Sequence, residues 1–108
     1  MDLIKKHCVP CEGDIPALTA TEEEIYKKEV ISWDLSMDNP HKLKKKFSFK
    51  NFKEAMDFVN AIAEIAEQEC HHPDIYIVYN KVDIELYTHA VNGLSESDFI
   101  MAAKIDDL

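Results

Sequence analysis

Three of the five histidines in this 108-residue chain stand close together as His71, His72 and His89, with Pro73 directly after the adjacent pair. Imidazole is the side chain whose charge changes near neutral pH, so one ring can donate a proton while another accepts one. A cluster of this kind suits proton transfer at a small bound molecule. Three histidines can also hold a catalytic zinc ion. Side chains of adjacent residues in an extended segment diverge, however, which makes joint coordination by His71 and His72 awkward. A third reading is architectural, with His71 and His72 forming a polar helix end and His71 near the negative pole of the helix dipole.

Other chemistries have weaker support. Cys8 and Cys11 form C-x-x-C in a tail punctuated by Pro10, Gly13 and Pro16. A structural zinc site wants a second such pair, and a redox C-x-x-C normally follows a strand, so these read as reduced thiols without a metal. Cys70 adjoins His71, but adjacency in sequence is not side-chain contact, and no glycine-rich phosphate loop is present. All twelve basic residues are lysine, and the net charge is −9. Arginine is the usual fork for phosphates and guanine edges, and phosphate contacts dominate nucleic-acid affinity, so no direct nucleic-acid partner is expected. The run Lys42–Lys46 reads as the solvated side of a strand. No apolar run is long enough to span a bilayer, and "MDLIKKHCVPCEG" lacks a signal-peptide core, so a cytoplasmic protein without a membrane partner is expected.

The elements that must position the histidines follow from spacing. Residues 1–18 read as an irregular arm in front of one domain spanning 1–108. Thr19 or Thr21, each with a glutamate three residues on, starts a short helix over about residues 20 to 30. "SWDLS" and "LKKKFSFK" read as strands around a turn at Asn39-Pro40. Asn51 caps a long helix ending near Glu69, with Phe52, Ala55, Met56, Val59, Ile62, Ala63 and Ala66 as its apolar stripe. Pro73 disfavours helical geometry at His72 and stops it. "IYIVYN" and "VDIELYT" form a hairpin about Asn80-Lys81, pairing Tyr79 with Val82, Ile77 with Ile84 and Ile75 with Leu86. The same register sets His72 opposite His89, where β-carbons lie about 4.5 to 5.5 Å apart. Ser95, with Asp98 in capping-box position, opens a last helix. The order predicts an α+β domain, a four-stranded antiparallel sheet with three helices packed on one face.

Several ordered motifs carry a resemblance. They are "E-x-x-x-H-H-P" from Glu67 to Pro73, "YNKV" at Tyr79–Val82, "TH" at Thr88-His89 and "GLSESD" at Gly93–Asp98, preceded by "FSFKNFKEAMDFVNAIAEIAE" and "CVPCEG". Together they resemble the pterin-4a-carbinolamine dehydratases over most of the chain. The resemblance implies dehydration of 4a-hydroxytetrahydropterin, left by aromatic amino-acid hydroxylases, to quinonoid dihydropterin. It implies His71, His72 and His89 as catalytic-site histidines, Glu67 and Asp98 as supporting acids, Pro73 within the motif, and Trp33 as an aromatic near the site. Glu67, one helical turn before His71, is expected to bias its protonation. Neither a metal nor a cofactor is expected. The implied partners are the pterin substrate, a functionally linked hydroxylase, and further copies of the chain in a homodimer or homotetramer built by sheet extension. The alternatives are a dimerisation or transcriptional coactivator module and a pterin-binding protein.

Overall fold

Thr19 opens the first helix, α1 (Ala20–Lys27): its hydroxyl accepts from the Glu22 N–H at 3.2 Å, and the Glu22 carboxylate accepts from the Thr19 N–H at 2.9 Å. This computed structural model describes residues 1–9 and 16–108, so Cys11 lies outside the described residues. α1 ends at Lys27 rather than near residue 30. The N–H groups of Glu29 and Val30 bond back to Tyr26 and Lys27 in tighter turns, which bring Val30 and Trp33 into the core.

Two strands follow, β1 (Asp34–Ser36) and β2 (Lys42–Ser48), on either side of the Asn39-Pro40 turn. The Asn51 side chain then accepts from the Glu54 N–H at 2.9 Å and starts α2 (Phe52–Glu69). Ala55, Ile62 and Ala66 are buried as expected, but Phe52 and Ala63 face solvent. The buried side is rotated towards Phe58, whose ring packs against Phe47 (4.7 Å) and Phe49 (5.0 Å). β3 (Asp74–Val78) and β4 (Lys81–Leu86) form the hairpin, and α3 (Glu96–Asp106) closes the fold.

The four strands make one antiparallel sheet in the order β1-β2-β4-β3. Val82, Ile84 and Leu86 of β4 are fully buried and alternate with partly exposed residues, as a strand with one covered face requires. α2 and α3 pack on that face, and α1 packs on α3. α3 is buried nearly all round, from Phe99 to Ala103 and at Ile105, because it also carries the N-terminal arm. The domain is therefore α+β, as its pattern of elements predicts.

Two further details differ from expectation. The hairpin turn is Tyr79-Asn80, not Asn80-Lys81: Val78 faces Lys81, Ile77 faces Val82 and Ile75 faces Ile84. The cause is non-local. Asn80 is tied to the end of β2, accepting from the Phe49 N–H at 2.8 Å and donating its amide to the Phe49 carbonyl at 2.9 Å. The lysine run is also not one solvated side. Lys45 lies on the helix-facing side opposite Ile84, with its ammonium on Asp106 (2.7 Å) and the Ser32 hydroxyl (2.8 Å) and over the Phe47 ring.

Candidate active site

The end of α2 sorts the adjacent histidines. Cys70 takes the left-handed conformation (φ 52°), a helix-terminating geometry that costs a non-glycine residue about 1 kcal/mol. The N–H groups of Cys70 and His71 both return to the Ala66 carbonyl, and Pro73 prevents further helix. After this reversal His71 turns inward, with its side chain 14% exposed, whereas His72 turns outward at 61%.

Each imidazole meets a different partner. His71 Nε2 lies 2.6 Å from Oδ1 of Asp98, a fully buried carboxylate in the first turn of α3. Asp98 Oδ2 accepts from the Thr88 hydroxyl at 2.8 Å and from the Ser95 N–H at 2.9 Å. The capping carboxylate of α3 is thus also the partner of His71. His72 Nε2 lies 2.6 Å from Glu67 Oε2 in an exposed pair. Glu67 therefore meets His72, not His71, because the left-handed turn carries His71 away from the helix surface. His89 Nδ1 lies 2.9 Å from the Tyr87 hydroxyl, and their rings are 4.2 Å apart. His89 begins a single 3-10 turn held at its base by a bridge between Thr88 and Gly93.

All three histidines line one cleft of about 460 Å³, within the range of small-molecule sites. His71 and Thr88 line its inner part, His72 and His89 stand at the exposed rim, and the half-buried Tyr87 and Pro73 complete the lining. His72 is not opposite His89. The ladder ends at Asp74 facing Glu85, and its register continues towards Tyr87 instead. Trp33 does not line the cleft. It is fully buried, donates Nε1–H to Asp106 at 3.0 Å near the C-terminus of α3, and packs edge-on against Phe47.

Sequence reasoning missed Tyr87, Thr88 and the arm residues Cys8 and Val9, which also line the cleft. Strand alternation carries a signal for Tyr87, two residues before His89 on the same side of the chain. No local signal marks Cys8. Burial pushes its thiol up to about 11, with the charges of Glu69 and Asp98 acting in the same direction, so at neutral pH it is a thiol and not a nucleophile. Among the described residues no three His, Cys, Asp or Glu side chains form a group that could hold a metal ion. No helix among them is long and apolar enough to cross a membrane.

Fold and site together define an α+β domain with a histidine-lined cleft of small-molecule size. The family model described as pterin 4 alpha carbinolamine dehydratase matches residues 16–108. A Methylococcus capsulatus protein, provisionally named pterin-4-alpha-carbinolamine dehydratase, is 50% identical over 98% of this chain and 92% of its own length. The Arabidopsis thaliana protein named pterin-4-alpha-carbinolamine dehydratase 2, mitochondrial, is 46% identical over 99% of this chain and 59% of its own. A Brucella melitensis crystal structure titled transcriptional coactivator/pterin dehydratase superposes with a TM-score of 0.79 at 33% identity, covering 84% of this chain and 96% of that one. The chain belongs to the pterin-4-alpha-carbinolamine dehydratase family.

Proposed function

We propose that this chain dehydrates 4a-hydroxytetrahydropterin to quinonoid dihydropterin by proton transfer between histidines. One observation carries the reading: three imidazoles line one cleft, and the innermost is coupled to a buried carboxylate. His71 donates Nε2–H to Asp98, so the lone pair of its neutral ring is at Nδ1, the nitrogen of a base. His89 pairs with the Tyr87 hydroxyl through Nδ1; as the imidazolium it donates Nδ1–H to that oxygen and keeps Nε2–H as the acid. In the reaction the C4a–O bond breaks as His89 protonates the departing hydroxyl, which leaves as water. The N5 proton passes to His71, and C4a=N5 forms. The imidazolium created at His71 faces Asp98; His71 then releases its proton to solvent, and solvent returns one to His89. His72, oriented by Glu67, binds substrate at the rim.

The substrate would be the 4a-hydroxypterin that aromatic amino-acid hydroxylases release, which makes the chain a recycling enzyme working with such a hydroxylase in the cytoplasm. Sheet extension into a homodimer or homotetramer would use the β3 edge, where Val78 is exposed. The Brucella melitensis title also names a coactivator. An interaction module of that kind is the second reading, and it does not need the histidines.

Stopped-flow absorbance with chemically generated 4a-hydroxytetrahydropterin tests the activity. Wild type is expected to accelerate dehydration. His71→Ala and His89→Ala should each lose about 10² to 10⁴-fold in kcat, and His72→Ala should act mainly on KM. A folded wild type no faster than buffer would remove the enzyme and leave the interaction module. Tyr87→Phe, which removes the oxygen paired with His89 Nδ1, is expected to lower kcat about three- to tenfold, the worth of one hydrogen bond. It should also move the pH profile; an unchanged profile would show that Tyr87 does not stabilise the charged His89 ring.

A further inference from the structure

We propose that the N-terminal arm is a working wall of the pterin cleft and that Glu69 is the positioning residue that latches it there. The inference rests on the dehydratase reading for the identity of the ligand. The latch itself rests on geometry.

Glu69 is the last residue of α2, and its side chain is only 5% exposed although it carries a carboxylate. Its Oε1 accepts the Cys8 backbone N–H at 2.7 Å, and its Oε2 lies 3.0 Å from His7 Nδ1 and 3.6 Å from the Lys104 ammonium. Burial alone would raise this carboxyl, but the Cys8 N–H, His7 and Lys104 outweigh it and hold it below its ordinary value. Lys104 in turn donates to the Ile4 carbonyl at 2.9 Å, so one carboxylate and one ammonium grip the arm at successive points. On the other side the arm meets α3. The Cys8 thiol donates to the Ser97 carbonyl at 3.5 Å, and the Ser97 hydroxyl donates to the Val9 carbonyl at 3.4 Å.

Residues 8 and 9 therefore bridge two places: the end of α2, which supplies His71 and His72, and the first turn of α3, which supplies Asp98. Both residues line the cleft, yet both lie outside the segment matched by the family model. The arm adds shape to the site and no proton-transfer group, since Cys8 remains a neutral thiol. Its loss should weaken substrate binding and leave the chemical step alone, a separation that a merely structural role would not produce.

The test combines kinetics with iodoacetamide labelling of the full chain, read cysteine by cysteine by tandem mass spectrometry. In wild type, Cys8 should label slowly, and 7,8-dihydropterin should slow it further by covering the wall. Glu69→Ala removes charge-assisted hydrogen bonds. It should raise Cys8 labelling and KM about tenfold each, with kcat within about twofold. Glu69→Gln, which keeps an acceptor for the Cys8 N–H, should fall between and covers the case in which the alanine variant does not fold. Unchanged Cys8 labelling in a folded variant would overturn the latch. Faster labelling with unchanged KM would overturn the role in binding. A wild type without dehydratase activity would sink the reaction and not the latch, which labelling decides by itself.

Discussion

Asp98→Asn is expected to lower kcat by about 10² to 10⁴-fold, the contribution of a positioned acid–base group, while KM changes only a few-fold. The argument runs through hydrogen-bond polarity. Oδ2 is pinned by two donors, the Thr88 hydroxyl and the Ser95 N–H, and the second of these cannot be rotated away. An asparagine must therefore keep its oxygen at that position and turn its NH₂ towards His71. His71 Nε2 then becomes an acceptor, and its proton moves to Nδ1, where the proposed base is needed. The variant retains a side chain of nearly the same shape, so the fold should lose only about 1 to 3 kcal/mol, the cost of degrading buried polar contacts. Stopped-flow kinetics and urea unfolding on one preparation separate the two effects. Wild-type kcat in the folded variant would refute the assignment of His71 as base.

Trp33→Ala should have the opposite profile. Removing a fully buried indole leaves a cavity, and changes of this size cost about 3 to 5 kcal/mol. The indole N–H bond to Asp106 is lost as well, but Asp106 keeps Lys45. Urea unfolding followed by circular dichroism should show a midpoint shifted far below wild type. Because Trp33 lies away from the cleft, the fraction that remains folded should retain the wild-type kcat. Trp33→Phe should recover most of the stability. A folded Trp33→Phe with a large kcat defect would restore the expectation of an aromatic near the site.

Much of the fold is legible in local pattern because the signals that specify it are local. The alternation of Ile75, Ile77, Val82, Ile84 and Leu86 marks a hairpin with one covered face. A register error of two residues leaves every one of them on that face. The error itself comes from Asn80, whose partner Phe49 belongs to a different strand. The caps at Thr19, Asn51 and Ser95 are readable for the same reason, since each acts within one helical turn. The gathering of His71, His72 and His89 is readable from the hairpin and the proline stop. Their partners are not. From spacing alone Asp98 reads as a cap; the resemblance adds it as a supporting acid, and nothing nearby in the chain announces its second oxygen's bond to His71. Glu67 reads as the neighbour of His71 until the left-handed Cys70 exchanges it for His72. Glu69 looks like one more charge on a solvated helix face, and only the returning arm explains its burial.

The double duty of Asp98 has a bearing on how lineages in this family diverge. One of its oxygens starts a helix and the other attends an imidazole, so selection for folding alone is enough to preserve it. A relative put to some other task would still need the aspartate to start this helix. Among distant relatives, the presence of this acid is accordingly poor testimony to activity. On the proposed mechanism the imidazoles at positions 71 and 89 would be the informative markers, and a member lacking both while retaining Asp98 would be a scaffold that outlived its reaction.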